Sequence, residues 1–346
     1  MWGILDKLDF GNIISGSARK VLGLQNRILS LQIHITNKCN LKCSYCYVDK
    51  ENNPEIPKEK ILSLINQARA NNITDLQLLG GEPLLHPDIK EIISCASKKG
   101  FRVWIFTNAV LIDKSWISFF KRFQDLRLII KLDSYEGYKI HSGTDLYNMT
   151  INKIKLCVDS KIKCYAFIMV TSTNFPHIEN LVKTSFWLGA VPIIERYLPT
   201  NTLDINKDLE ITVIQWNDII QIYRKYFKNR IPKHNFVSRV LDSHCSCYCS
   251  TISINLDGEA LPCPYASKEL SLGNVNAVPL GRIINNYFRR TNEWNRIPDE
   301  CISCSHKKLC RGGCKTYAYL QKKRFDVKDS LCSGYPPNAT MGSFHD

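Results

Sequence analysis

The 346-residue sequence predicts an α/β protein, a partial (β/α)6 barrel of the TIM type followed by a cysteine-rich, loop-rich module. Three observations carry this expectation. From residue 31 to about 200, short β-branched apolar runs alternate with helix-length amphipathic runs, the signature of parallel βαβ units. Each unusual local sequence in that region falls just after an expected strand, where barrels of this kind keep their functional residues. From Cys245 onward the alternation stops and Cys, Gly and Pro dominate, so this part needs metal staples rather than a core of its own.

The elements follow in order. LQIHIT (31–36) is the first strand and leads into the loop CNLKCSYC (39–46). PKEKILSLINQARANN (57–72) sets Pro57 at a first helical turn and Ile61, Leu64, Ile65 and Ala68 on one face. DLQLLG (75–80) is a strand, and IKEIISCASKKG (89–100) is a helix closed by Gly100. RVWIFT (102–107), RLIIKLD (127–133), KCYAFIMV (163–170) and VPIIERYL (191–198) continue the strands, with helices at about 113–123, 145–160 and 177–189. A helical stretch over 209–230 leads to a boundary near 240. The expected organisation is an N-terminal helical segment (1–30), the barrel (31–240), the cysteine-rich module (241–335) and a tail (336–346).

Composition narrows the class. At 44% hydrophobic and 23% charged, the chain reads as globular rather than disordered. No apolar run is long enough to span a bilayer, and MWGILDKLDFGNI carries acids where a signal peptide needs bases, so a cytoplasmic protein is expected. The 15 cysteines are grouped, which points to metal or redox chemistry rather than disulfides. The formal charge of +14 permits an anionic partner. Thiolate-bound clusters would bring it down to mildly basic.

The loop places Cys39, Cys43 and Cys46 together with no fourth cysteine beside them. Three thiolates hold three irons of a four-iron cluster and leave one iron for an outside ligand. A zinc loop with a distant fourth ligand and a set of reduced structural cysteines are the other readings. GGEP (80–83), TNA (107–109) and Asp133–Ser134 end strands two, three and four, so the barrel brings them to the same rim.

With these motifs in register, the sequence resembles the radical S-adenosylmethionine (SAM) enzymes, in whose loop an aromatic, here Tyr45, precedes the last cysteine. The resemblance implies that SAM supplies the missing iron ligand and is reductively cleaved to a 5′-deoxyadenosyl radical that abstracts hydrogen from a substrate. It implies further that Gly80 and Gly81 allow close backbone approach and that Glu82 accepts from the cofactor's ammonium. Asn108 stands in the family's TNG segment, where Ala109 is a departure that puts the local turn in question. Asp133 and Ser134 resemble its polar contact to the cofactor, and Arg196 is either a partner of the cofactor carboxylate or a surface arginine. No catalytic acid, base or hydrogen donor is legible.

The tail, CSCYCSTISINLDGEALPC followed by CISCSHKKLCRGGC and Cys332, resembles the SPASM extension, which carries two auxiliary clusters. The resemblance implies three [4Fe-4S] clusters in all. One auxiliary cluster would take Cys245, Cys249, Cys263 and Cys314, with Cys247 an alternative to Cys249. The other would take Cys301, Cys304, Cys310 and Cys332. Structural zinc also suits this spacing. Lys307, Lys308, Arg311 and Lys315 crowd the motif; they either favour reduced clusters or are simply solvated. Cys95, Cys157, Cys164 and His34 read as structural.

The resemblance implies a ribosomally made peptide or protein as substrate, and a reductase with flavodoxin, or a ferredoxin, as electron donor. The 38 residues before Cys39 are fewer than a fused leader-binding domain needs, so the expectation is either a separate peptide-recognition protein or a substrate recognised without one. A sugar or cyclitol alcohol, or a tetrapyrrole side chain, is the alternative substrate. A non-catalytic zinc-stapled binding protein is the alternative of another class. FRRTNEWNR and KTYAYLQKKR mix bases and aromatics, but no groove-reading helix or stacking motif accompanies them, so a nucleic-acid partner is not expected.

Overall fold

The computed structural model describes residues 27–48, 54–142, 146–200, 208–227, 248, 250–304, 307 and 311–332. Cys245, Cys247, Cys249, Cys310 and Lys308, most of the 1–30 segment and the 336–346 tail lie outside the described residues. Six parallel strands form the expected partial barrel: β1 (Ser30–Thr36), β2 (Asp75–Gly80), β3 (Arg102–Thr107), β4 (Leu126–Lys131), β5 (Lys163–Val170) and β6 (Val191–Arg196). They are ordered sequentially, β6 to β1, as successive βαβ crossovers require. The connecting helices are α1 (Lys58–Ala70), α2 (Ile89–Lys98), α3 (Lys114–Phe120), α4 (Tyr135–Ser142), α5 (Tyr147–Asp159) and α6 (Ile178–Trp187). α1 begins after Pro57 and buries the four apolar residues that its spacing marks. Gly100, with φ +77°, ends the α2 segment in the left-handed conformation that an L side chain resists.

The strand pattern makes two chemically distinct faces. One is aliphatic and fully buried: Leu31, Ile33 and Ile35, then Leu76 and Leu78, Val103 and Ile105, Leu128 and Ile130, Ala166 and Ile168. The other is polar and aromatic. On it Gln32 donates to Gln77 at 2.7 Å, Gln77 donates to Ser30 at 2.8 Å, and buried Asp75 accepts from Arg102 and from the Trp104 indole. Ring contacts on this second face reach from β3 to β5, Trp104 to Tyr165 and Phe106 to Phe167, past the intervening β4. A concave sheet produces such contacts, because curling draws non-neighbouring strands together on the inner side.

The structure departs from the sequence reading in three places. α4 starts directly after Asp133–Ser134, because the Gly137 N–H donates to Ser134 Oγ at 2.9 Å and so caps the helix. TISI forms β7 (Thr251–Ile254), which extends the sheet by pairing parallel to β1, and β8 (Ala260–Leu261) pairs antiparallel to β7. The division also falls differently from the expected boundary near 240. Residues 28–211 and 251–286 form one compact unit, and the described residues of 212–250 and 287–346 form another. In the first unit, Lys60 donates to the Val275 carbonyl at 2.6 Å and Gln67 accepts from the Leu280 N–H at 2.8 Å, pinning the later segment to α1.

The second unit contains α7 (Val213–Phe227) and α9 (Lys315–Lys322); α8 runs over Leu280–Trp294. An aromatic cluster of Tyr248, Tyr287, Trp294 and Phe325 forms its core, with Tyr319 stacked on Phe325 at 5.0 Å. Lys315 is buried, so the reading of solvated charge is corrected for this residue. Its ammonium donates to the carbonyls of Arg296, Arg311 and Phe325, tying three loop segments to one point. Asp329 accepts from the N–H groups of Cys314 and Leu331, and Cys314 caps α9 through its sulfur. Burial, followed by the nearness of Cys332 and Cys304, pushes the Cys301 thiol up, which marks the three as neighbours. No described helix is long and apolar enough to cross a membrane.

Replacing Lys315 by Met removes one donor from three buried acceptors. The expected loss is about 3 kcal/mol from the second unit. It is read as faster proteolysis within residues 296–332 while the sheet unit stays resistant.

Candidate active site

β1 ends in a loop whose base is cinched shut. Asn37 N–H donates to Pro54 O at 3.0 Å and Ile56 N–H to Ile35 O at 2.9 Å, while Lys38 pairs with Glu55 at 2.6 Å. The end of β2 lies against the same base: Gly81 N–H donates to Thr36 O at 2.7 Å and Glu82 N–H to Lys38 O at 2.8 Å. A Cβ on Gly80 would strike the Thr36 carbonyl oxygen, and one on Gly81 would strike those of Asn37 and Lys38. The two glycines therefore let β2 dock on the root of the cysteine loop. The close approach they allow here is to the loop's own backbone.

Glu82 follows directly on the two glycines. It is buried, and its carboxylate accepts from Leu84 N–H at 3.1 Å, Thr107 Oγ1 at 2.8 Å and Asn108 N–H at 2.8 Å. It is a clasp between the ends of β2 and β3. Burial raises its pKa to about 7 against the lowering by these three donors. Asn108 then reaches the cysteine loop, donating to Asn40 Oδ1 at 2.7 Å and accepting from Val110 N–H at 3.0 Å. Ala109 keeps the local turn that its departure from glycine put in question, with φ +62° at a cost of about 1 kcal/mol.

Cys39, Cys43 and Cys46 sit half-buried on the loop, none of them in a disulfide. Leu41 N–H donates to Cys39 Sγ at 3.4 Å, and a turn joins Cys46 N–H to Cys43 O at 3.2 Å. Lys131, the last residue of β4, donates to Cys43 Sγ at 3.4 Å. Its ammonium lies 4.9 Å from the ring centres of both Tyr45 and Tyr138. Burial, then the charges of Asp133 and Cys43, push the Tyr45 phenol well above its ordinary pKa, so it stays protonated.

Asp133 is buried beneath the first turn of α4, where only a glycine fits at 137. Its Oδ1 accepts from Ser134 N–H at 2.9 Å and from Asn174 Nδ2 at 2.8 Å, while its buried Oδ2 has no hydrogen-bond partner among the described residues. Asn174 also holds Met169 O and the Thr171 N–H, tying the ends of β4 and β5 together. Arg196 ends β6 and is buried, which removes the surface-arginine reading. His34 is buried against Tyr47 at 3.2 Å, and burial lowers its pKa to about 4, so it is neutral near pH 7. Cys157 and Cys164 are buried, and Cys95 is half-buried.

Lys131, Tyr138 and Asn174 escape the sequence reading. Lys131 left a trace: it is the one charged residue among the apolar positions of LIIKL. Asn174 left none, because its partners depend on how strands β4 and β5 end.

Residues 33–184 match the model of the radical SAM superfamily. The chain carries a radical SAM domain. Among relatives, the subtilosin biosynthesis protein AlbA of Bacillus subtilis is 27% identical over 267 residues, covering 71% of this chain and 57% of AlbA. This chain thus spans little more than half of that relative. The AdoMet-dependent heme synthase of Nitratidesulfovibrio vulgaris is 22% identical over 88% of this chain and 92% of its own length. SuiB of Streptococcus suis, solved with S-adenosylmethionine, shares the fold at a TM-score of 0.70 and 20% identity, covering 92% of this chain and 81% of SuiB.

The residues of the radical SAM domain fit the superfamily's [4Fe-4S] cluster and S-adenosylmethionine. Three thiols outside any disulfide share one loop beside a cation, as a thiolate-bound cluster needs. The unpaired Asp133 Oδ2 suits a hydroxyl or N–H donor of a bound cofactor. Among the described residues, no three His, Cys, Asp or Glu groups are arranged to hold a single metal ion.

Because the folded pKa of Glu82 lies above the ordinary 4.5, its contribution to stability is greatest below about pH 4.5 and declines as pH rises to about 7. Glu82→Gln is expected to abolish that slope. At pH 8 it should also cost about 2 kcal/mol, because the amide nitrogen opposes a donor. Anaerobic unfolding of both proteins at pH 5 and pH 8 checks this through the difference between them.

Proposed function

We propose that this chain is a cytoplasmic radical SAM/SPASM enzyme that modifies a ribosomally made peptide or protein by hydrogen abstraction. The modification is a thioether or carbon–carbon crosslink, an epimerisation or an oxidation. The observation that carries the reading is the loop of three cysteines, locked at its base by Gly80–Gly81 and set beside an unpaired buried carboxylate oxygen. The relation to AlbA, a bacteriocin biosynthesis protein, supports a peptide substrate, as does the fold shared with SuiB, which has also been solved with its precursor peptide SuiA.

When bound, the cluster and S-adenosylmethionine supply a carbon-centred radical able to take a hydrogen atom from the substrate. In this reading Cys39, Cys43 and Cys46 ligate the cluster. Asp133 accepts a hydrogen bond from the cofactor through Oδ2, and Asn174 holds that carboxylate in place. Glu82 and Asn108 keep the loop docked, Tyr45 remains a neutral wall, and Ser134 and Arg196 line the same strand ends. By the resemblance to the SPASM extension, two auxiliary clusters complete the three: one on Cys301, Cys304, Cys310 and Cys332, the other on Cys245, Cys263, Cys314 and Cys249, with Cys247 the alternative to Cys249. An external ferredoxin or flavodoxin system supplies electrons.

The heme synthase relative supports a second reading, in which a tetrapyrrole side chain is the substrate. Incubating reduced, iron-loaded protein with S-adenosylmethionine and either peptides or tetrapyrroles separates the two by mass spectrometry. The proposal expects 5′-deoxyadenosine from the wild type. The Cys39→Ala/Cys43→Ala/Cys46→Ala variant should yield none and lose about four irons per chain. Equal product from both proteins would refute it.

A further inference from the structure

β4 ends in Lys131, directly after the buried apolar run Leu128, Ile129 and Ile130; the strand's other charged residue, Arg127, is buried near its start. A lysine at such a place ordinarily extends its ammonium into water, because fixing its long stem costs entropy. Here the ammonium is held. It donates to Cys43 Sγ at 3.4 Å and lies 4.9 Å from the ring centres of Tyr45 and Tyr138. Tyr138 is itself fixed, its hydroxyl donating to the Lys131 carbonyl at 2.8 Å, so the lysine's own backbone anchors one ring of its cage. Two aromatic faces attract a cation and shield it from competing solvent.

We propose that Lys131 is a positioning residue that serves as a fixed counter-ion of the loop cluster, holding the Cys43 thiolate and easing entry of the electron. The proposal rests on the reading of Cys43 as a cluster ligand. Its physical basis is that hydrogen bonds to ligand sulfur and net charge near a cluster set its reduction potential. A positive charge at hydrogen-bonding distance stabilises the more negative, reduced state. Lysine suits this task because its compact ammonium presents three donors to a point-like acceptor, whereas a guanidinium favours planar, two-pronged partners.

The test uses the full chain, iron-loaded and free of S-adenosylmethionine. The paramagnetic signal that Cys43→Ala removes is titrated against potential in wild type, Lys131→Met and Lys131→Arg. The expected result is at least a tenfold lower reduced-to-oxidised ratio at fixed potential in Lys131→Met, about 59 mV for one electron. Lys131→Arg should stay within threefold of wild type. Equal midpoints in wild type and Lys131→Met overturn the proposal, including the case in which S-adenosylmethionine binding alone is weakened, which would make Lys131 a cofactor contact. If Lys131→Met does not load iron, Lys131→Gln takes its place, and an unchanged midpoint there also overturns it. Iron content unaffected by Cys43→Ala would instead refute the cluster reading beneath it.

Discussion

The whole site depends on one close backbone contact, that of Gly80–Gly81–Glu82 against Thr36–Lys38. Parallel pairing of β1 with β2 brings the two strand ends level, with a register shift between His34 and Thr36. The N–H groups of Gly81 and Glu82 then take up carbonyls that the departing loop would otherwise leave unpaired. Any side chain at either glycine would push the layers apart. The cysteine loop is thus positioned by the sheet although none of its three cysteines belongs to a strand.

The same logic repeats along the strand ends. Glu82 joins β2 to β3, Asn108 joins β3 to the cysteine loop, and Asn174 joins β4 to β5. Each is a short polar side chain that satisfies backbone or side-chain groups where the ladder stops. Burying the Glu82 carboxylate is costly, and three donors offset only part of that cost. Rigid strand ends hold the loop residues more closely than loops alone would, and hydrogen transfer demands such placement. The aliphatic face supplies cohesion, while the polar, aromatic face is left for chemistry.

Much of this was legible in the sequence. β2, β3 and β5 lie where their apolar runs place them, and the motifs after strands one to four gather around the cysteine loop. The cysteine spacing and the strand-end motifs are local, so sequence carries them directly. What stayed hidden is non-local. Four residues, TISI, show no period long enough to announce a strand, and only the open edge of β1 makes them one. Glycines announce close approach but not what approaches. Glu82 and Arg196 read as surface or ligand-facing groups because burial is a property of the packed layers, not of the residues themselves. Lys315 likewise looked like one more loop charge until three carbonyls were found around it.

In this account, three thiolates from one docked loop leave one iron of a four-iron cluster without a protein ligand. Mössbauer spectroscopy of anaerobic, ⁵⁷Fe-loaded protein, recorded before and after adding S-adenosylmethionine, addresses that vacancy directly. The account predicts that one iron of the loop cluster changes its isomer shift while the remaining irons keep theirs. Superimposable spectra would contradict it.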